Sequence, residues 1–380
     1  MSFNHYNTPN IKQETPHTLL PLKSWFPHRT PLLISGPCSA ENPDQLFNSV
    51  KDLKLSGAHI IRAGAWKPRT RPGAFEGKGN VALSWIKEVS TAVGLPAITE
   101  VANPQHVEEA LKAGIDFFWV GARTTVNPFL VQEIANSLNG VDIPVFVKNP
   151  VNPDVDLWLG AIERINKAGI NRVAAIHRGF SSYEKHLYRN KPFWEIAIEL
   201  RRKVPALPLI CDPSHICGNT QLINYVSQVA LDLQYDGLMI EVHNNPSQAL
   251  SDAQQQLTPT EFKELVQKLV VRSASVDDVF ELSKLEDLRD QIDEIDAEII
   301  EKLAHRMSVA RTIGKYKKKN NVAILQPERW EEILRTRTQS GIEKQLTREF
   351  LLNLLNSIHL ESIYQQTMQM NIDSEKKLEQ

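Results

Sequence analysis

Cysteine is scarce: three residues in a chain of 380 leave an odd one over and no disulfide framework, which fits a reducing compartment. An excess of charge of either sign is also missing. The 43 Lys and Arg against 45 Asp and Glu leave a net charge of -2, so no overall field draws in nucleic acid or an anionic membrane, and any anion site must be local. No apolar run approaches the ~20 residues that a membrane-spanning helix needs. The first twenty residues, MSFNHYNTPNIKQETPHTLL, lack the basic start and apolar core of a signal peptide. A glycine-rich dinucleotide turn is absent too, which removes the main argument for an open doubly wound sheet. These absences describe a cytoplasmic protein with neither nucleic acid nor membrane as a partner.

What is present is a rhythm. Residues 1–30 are polar and proline-punctuated, an arm expected to lie over the surface. Short runs rich in Ile, Val, Leu and Phe then recur at 32–35, 59–63, 97–101, 117–121, 145–148, 172–176, 209–212 and 237–242. Helix-like stretches at 80–93, 104–113, 128–138, 154–168, 192–204 and 219–233 separate them. Near-continuous apolar strands alternating with helices imply parallel pairing, and eight repeats predict a (β/α)8 barrel over 31–271.

The residues that follow the runs bear chemistry: Cys38, a cationic loop, Glu100, Arg123, Lys148, His177 with Arg178, Asp212 with His215, and Glu241 with His243. Barrel enzymes build their sites at the C-terminal ends of their strands, so this set is expected to converge on one mouth. The loop reads RAGAWKPRTRP from Arg62 to Pro72, with Pro68 and Pro72 stiffening a backbone dense in Arg and Lys. Such a loop grips phosphates at little ordering cost. A solvated surface loop is the bland alternative; Trp66 and the strand feeding the loop argue against it.

Within the mouth, Cys38, His215, Glu241 and Asp252 offer one soft and three harder donors, suited to divalent manganese, iron, cobalt or zinc. A local trio of Cys211, His215 and Cys217 competes, but Cys211 lies inside a strand run and is expected in the core. Arg62, Lys67, Arg69, Arg123, Lys148 and Arg178 suggest substrates carrying several anionic groups. A metal beside phosphate-binding cations suits carbonyl chemistry.

GPCSAE at 36–41, AGAWKPRT at 63–70, GAR at 121–123, HRG at 177–179, DPSH at 212–215 and EVH followed by ALSDAQQ at 241–255 together resemble 3-deoxy-D-arabino-heptulosonate 7-phosphate (DAHP) synthases, in their compact, KDO8P-synthase-like form. The resemblance covers about 30–272. It implies condensation of phosphoenolpyruvate with erythrose 4-phosphate, and Cys38, His215, Glu241 and Asp252 as metal ligands. It further implies Lys67, Arg123, Lys148 and Arg178, with Arg62 nearby, as the phosphoenolpyruvate site, and Arg69 and Thr70 as the erythrose 4-phosphate site. The sequence departs from better-known members at Asn149-Pro150 and at His177. The KPRT run favours the four-carbon aldose over the arabinose 5-phosphate of KDO8P synthases.

Residues 272–283 lose the rhythm and are expected as a linker, and 284–370 turn helical, with 371–380 as a tail. Leu285, Leu288, Ile292, Ile295, Ile299 and Leu303 form an apolar stripe on a helix running to about Lys319. A helix of some 35 residues spans about 50 Å, too long to bury that stripe in so small a domain, so a second chain is expected to cover it. Further helices open at Pro327 and Leu346.

Arg306 and Lys317 fall on or near this apolar register, and buried cations need an anionic partner. Arg289 lies roughly 25 Å up the axis from Arg306, within reach of the same small ligand only from an antiparallel second chain. LRDQID, HRMSVARTIGKYK, PERWEEI and ESIYQQ resemble the helical chorismate mutases over about 285–370. By that resemblance Arg289, Arg306, Lys317, Arg329, Ser362 and Gln366 bind chorismate or prephenate, with Arg289 supplied by the other subunit. Trp330 stands where that family often has glutamate, and Gln326 where it has aspartate. KYKKKNN at 315–321 reads as a solvated helix end, not a nucleic-acid patch.

The expectation is a bifunctional shikimate-pathway enzyme, at least dimeric through the mutase helices and possibly tetrameric, with prephenate or chorismate acting back on the synthase. The competing reading is a single-activity DAHP or KDO8P synthase whose helical tail only dimerises or regulates.

Overall fold

The computed structural model describes residues 18–27, 31–68, 73–183, 187–273 and 279–375. They form two units, Met1–Ala274 and Ser275–Gln380. In the first, a short helix α1 (Leu22–Trp25) precedes the strands β1 (Leu32–Gly36), β2 (Ile60–Arg62), β3 (Ala97–Val101), β4 (Phe117–Val120), β5 (Val145–Lys148), β6 (Val173–His177), β7 (Leu209–Cys211) and β8 (Gly237–Glu241). Between them run α2 (Pro43–Val50), α3 (Asn80–Val93), α4 (Pro104–Lys112), α5 (Ala122–Thr125), α6 (Pro128–Ser137), α7 (Val155–Lys167), α8 (Trp194–Lys203), α9 (Pro213–Cys217) and α10 (Ile223–Asp232), and α11 (Pro259–Lys268) follows β8. Each strand pairs in parallel with the next, and β8 returns to β1, opposing Gly237 to Leu32. The expected (β/α)8 barrel is the fold.

The pleat sorts the strand residues into two buried clusters. Ile34, Ile60, Ile98, Trp119, Phe146, Ile176, Ile210 and Met239 fill the inside, while Leu33, Ile61, Phe118, Val147, Ala175 and Leu238 pack outward against the helices. This period of two continues past the apolar residues. Arg62, Glu100, Lys148, Asp212 and Glu241 share the inward parity of the residues two positions before them.

Helix starts follow one recipe. Asn42, Asn103, Asn127, Asp212 and Thr258 each cap a helix whose first residue is proline, accepting hydrogen bonds from backbone N–H groups two or three residues on. Asp212 still donates its backbone N–H to the His177 carbonyl at 2.7 Å, but its carbonyl and side chain turn to α9, and the strand ends at Cys211.

Of the expected surface arm, residues 1–17 and 28–30 lie outside the described residues, and residues 18–27 differ from the expectation. Among residues 18–27, Leu22 and Phe26 are buried and join the inner cluster, and Trp25 meets Phe146 edge-on at 6.0 Å. Phe117 and Phe146 sit at the strand starts, so α1 closes the barrel floor. The apolar residues of LLPLKSWF overrule the polar average of the segment, and each of the two buried side chains contributes roughly 1.5–3 kcal/mol.

The second unit contains α12 (Val279–Lys319), α13 (Pro327–Glu343) and α14 (Arg348–Glu375). Helix α12 begins within the segment expected as a linker, because VFELSKL continues the helical pattern without a breaker. Gly314 lies so close to α14 that a Cβ there would meet the Gln366 Cα at 2.9 Å. Few side chains are buried in this unit. Leu288, Ile292, Ile295 and Ile299 stay 50–58% exposed along α12. No helix among the described residues is long and apolar enough to cross a membrane.

His177, the last residue of β6, has outward parity and sits in an aromatic box with Trp158, Phe180, Trp194 and Tyr235. Its Nδ1 pairs with the Tyr235 hydroxyl at 2.8 Å and its Nε2 with the Pro192 carbonyl at 2.6 Å. Burial disfavours the imidazolium, outweighing the Pro192 carbonyl, and lowers the pKa from 6.5 to about 4. Unfolded chains take up this proton near 6.5 and the native chain resists it until about 4. Stability is therefore full above pH 6.5 and falls by about 3 kcal/mol as the pH drops through that window. Denaturant midpoints measured across it should fall more steeply for the wild type than for His177→Gln; parallel curves would show that His177 does not resist protonation.

Candidate active sites in the barrel and the helical unit

Inward parity and strand ends bring the predicted groups of the barrel together. Arg62 Nη2 lies 2.9 Å from Glu241 Oε1, with both side chains almost wholly buried. Arg62 Nε and Nη1 have no hydrogen-bond partner among the described residues, which leaves donors available to an anion. Burial opposes the Arg62 charge, but Glu241 and Asp212 outweigh it and raise the pKa. Across the mouth, Lys148 Nζ donates to Asp212 Oδ2 at 2.8 Å. Burial pulls the Lys148 pKa down, against the attraction of Asp212.

Both cations lie over Trp119, at 5.1 Å for Arg62 and 5.6 Å for Lys148. The indole N–H donates to Glu100 Oε2 at 3.2 Å. Gly121 has no side chain because Glu100 occupies the space, its Oε1 lying 2.0 Å from where a Cβ would stand. An aromatic face beneath two desolvated cations offsets part of their burial cost and leaves their charge directed at the mouth.

Arg178 is buried, donates to Asn190 Oδ1 at 2.8 Å, and is pushed down to about 10 by burial, with Arg189 and Arg123 adding to the effect against Asp212. Its backbone N–H donates to Asn149 Oδ1 at 2.7 Å, so the Asn149 departure holds the β5 and β6 ends together. Arg123 is exposed on α5 and its charge reaches Arg178. Lys67 is half-buried and lowers the pKa of Cys38, Glu241 and Asp252 alike. Arg69 and Thr70 lie outside the described residues. His177 is not in the mouth: its parity turns it toward the helices. His243 is also buried, its Nε2 3.8 Å from Glu41.

The predicted donors assemble in part. The ligand atoms of Cys38, Glu241 and Asp252 lie within 4.8 Å of one another, a spacing that can hold a metal ion. His215 stands at the edge, with Nε2 3.8 Å from Glu241 Oε1. Its Nδ1 is bound to Asp212, and this partner fixes the ring and keeps Nε2 turned to the cluster. Burial lowers the His215 pKa despite Asp212, favouring the neutral, ligating form. Burial, followed by Glu241, pushes the Cys38 thiol up to about 12. Without a cation the site thus holds a thiol, which donates to Asp252 Oδ2 at 3.4 Å; a bound divalent ion would replace that proton, and the soft and hard donors together fit a transition metal. Cys211 and Cys217 are both buried, and Cys211 packs in the outer core.

Trp119, Arg189, Asn190 and the pair Gln255-Gln256 also shape this site, and the sequence reading does not name roles for them. Trp119 is readable in principle, two residues before Gly121 on the inward parity. Arg189 and Gln256 lie outside regular strands and helices, and Gln255 ends a single 3-10 turn, Ala253–Gln255, too short for a period to mark it. Beside Asp252, a cavity of about 510 Å³ is lined by Tyr188, Arg189, Gly218, Asn219 and Gln255 among others.

In the helical unit, Arg306 on α12 donates to Ser362 Oγ on α14. Gln366, one turn beyond, donates to the Ser362 carbonyl at 3.2 Å, and its Oε1 is buried without a partner among the described residues. Lys317 is buried and donates to the Ile324 carbonyl at 2.6 Å. Trp330 stacks on His359 at 3.9 Å, and Arg306 lies near enough to lower the His359 pKa further, after burial. Arg329 and Arg289 are exposed and pair with Glu332 and Glu286 on their own helices. One chain thus brings Arg306, Ser362 and Gln366 together but leaves Arg289 apart.

Comparison with known proteins agrees with this division. The DAHP synthetase I family matches residues 28–275, and the type II chorismate mutases match residues 288–367. Phospho-2-dehydro-3-deoxyheptonate aldolase of Thermotoga maritima is 32% identical over 237 residues, 62% of this chain and 68% of that protein. Its crystal structure aligns with a TM-score of 0.58 at 29% identity, covering 67% of this chain and 76% of that one. 2-Dehydro-3-deoxyphosphooctonate aldolase of Geobacter sulfurreducens is 23% identical over 263 residues, 64% of this chain and 93% of that protein.

The chain belongs to the DAHP synthetase I family and joins to its barrel a type II chorismate mutase domain, so one polypeptide carries a transferase and an isomerase of the shikimate pathway.

Proposed function

We propose that the barrel condenses phosphoenolpyruvate with erythrose 4-phosphate with a divalent metal held by Cys38, His215, Glu241 and Asp252. The observation that carries this reading is the Cys38–Glu241–Asp252 cluster beside the buried cations of the same mouth. When bound, the metal supplies Lewis acidity toward the aldehyde oxygen. Lys67, Arg123, Lys148 and Arg178, with Arg62, hold the phosphate and carboxylate of phosphoenolpyruvate and direct its methylene carbon at the aldose. Arg69 and Thr70 take the aldose phosphate. Arg62 and Lys148, lying over Trp119, stabilise negative charge in a nearly dry site.

The helical unit rearranges chorismate to prephenate, a unimolecular step needing no nucleophile. Arg306, Lys317, Arg329, Ser362 and Gln366 surround the ligand, and Arg289 enters from a second copy. Arginines clamp two carboxylates, and Lys317 and Gln366 stabilise charge at the breaking ether bond. The exposed stripe of α12 supports a dimer of this unit, because isolated helices do not hold so much apolar surface in water.

Metal removal separates the two activities. EDTA should abolish condensation and leave chorismate turnover unchanged, and Cys38→Ala should cut condensation to below about 1% with the same one-sided effect. Loss of both activities on chelation, or of neither, contradicts the assignment.

Mixing tests the shared mutase site. Arg289→Ala and Arg306→Ala chains are each expected to be nearly inactive. A randomised mixture should recover about a quarter of wild-type mutase turnover, since half the dimers are hybrids with one intact site of two. Hybrids that form without activity rule out a site shared across the dimer.

Feedback is the third element. The mutase pocket binds prephenate, a product several steps downstream of the condensation, and its occupancy can restrain the barrel to the extent that it favours one arrangement of the chain, by about 5- to 150-fold. Titrated prephenate should inhibit condensation in the full chain but not in a chain ending at residue 274, and Arg306→Ala should relieve it. Phenylalanine and tyrosine should have little effect. Equal inhibition of all three proteins contradicts this regulation.

A further inference from the structure

The stretch after Asp252 loops round and comes to lie parallel to the end of β8. Val242 bridges to Leu257, and the backbone pairs again through Leu257 N–H to the Glu241 carbonyl at 2.9 Å and His243 N–H to the Leu257 carbonyl at 2.8 Å. Asp252 itself sits at φ +49°, a left-handed conformation that a non-glycine residue keeps only where its surroundings impose it. This path buries Leu257 and two polar residues, Gln255 and Gln256, both 1% exposed.

Each amide is used at both ends. Gln256 accepts from the Cys38 backbone N–H at 2.9 Å and donates to the Ser251 carbonyl at 2.9 Å. Gln255 donates to Glu241 Oε2 at 2.7 Å and accepts from Arg189 Nη1 at 2.7 Å. That same Arg189 nitrogen donates to Asp252 Oδ1 at 3.0 Å. These partners fix the orientation of both amides. A carboxylate at 255 would repel Glu241, and an apolar side chain at 256 would leave the Cys38 N–H and the Ser251 carbonyl buried and unpaired.

We propose that Gln255, Gln256 and Arg189 are positioning residues for a divalent cation site. Gln256 sets the Cys38 loop against the Asp252 loop, while Gln255 and Arg189 link Glu241 to Asp252, so the three donors are held at ligating separation before a cation arrives. This rests on the metal reading of the cluster. It goes further in assigning the geometry of that cluster to groups that do not themselves ligate. Without this clasp, closing the carboxylates and the thiol on a cation would require ordering two loops on binding, and affinity would fall by that cost.

The test is Co²⁺ titration of the full-length, metal-free protein, read by the thiolate-to-cobalt absorption band and by calorimetry. Gln255→Met and Gln256→Met should bind Co²⁺ about 10- to 100-fold more weakly than wild type, with an altered band. A merely structural role would lower the melting temperature of the metal-free protein and leave affinity and band unchanged. Gln228→Ala, which breaks a reciprocal pair with the Val270 backbone away from the mouth, provides that comparison. Arg189 is 46% exposed, so Arg189→Met tests the same clasp even if the buried glutamine variants fail to fold, and it should weaken binding at least several-fold. Wild-type affinity and band in folded variants would overturn the inference while leaving the metal reading intact. A wild-type protein that gives no thiolate-to-cobalt band would overturn both.

Discussion

Two buried ion pairs, Arg62 with Glu241 and Lys148 with Asp212, are the constraint on which the barrel mouth depends. All four groups are nearly removed from water. Removing one partner of such a pair strands a buried charge, at a cost of about 3–5 kcal/mol. The fold meets this demand geometrically. Arg62 ends β2 and Glu241 ends β8, the two strands flanking β1, and Trp119 rises from the layer below to face both cations. Charges that would destabilise a core are thereby concentrated in one layer just above the apolar filling.

The same layer couples stability to chemistry. Asp212 caps α9, orders His215 and neutralises Lys148 at once, so one carboxylate connects the anion-binding side of the mouth with the donor cluster. Glu241 does the equivalent work between Arg62, Gln255 and the cluster. Neither residue can be assigned to structure or to function alone, and substitutions at either should not be read as reports on one role.

The barrel is legible in the sequence because parallel strands buried on both faces write themselves as unbroken apolar runs, and because cap-proline dipeptides such as Asn103-Pro104 punctuate the helices. The strand-end groups are legible for the same reason: parity carries the inward direction from Ile60 to Arg62 and from Phe146 to Lys148. That rule, applied strictly, also turns His177 outward. It fails for Arg189, in the loop between β6 and α8, and for Gln255 and Gln256, on the loop that returns beside β8, because no local period encodes either path. It fails as well at residues 18–27, where Leu22 and Phe26 decide the placement. In the helical unit the period identifies a stripe, but the exposure of Ile292 and Ile295 is a property of the folded single chain.

Helix α1 has a practical corollary. It plugs the floor of the barrel, and Thr18 is hydrogen-bonded to Asn166 at the carboxyl end of α7, so residues 18–26 lie on the side away from the chemistry. A fluorophore or an affinity handle placed on the exposed side chain of Thr18 therefore sits on the face opposite the mouth. A cut or graft between Leu19 and Phe26 would instead unstop the barrel from below.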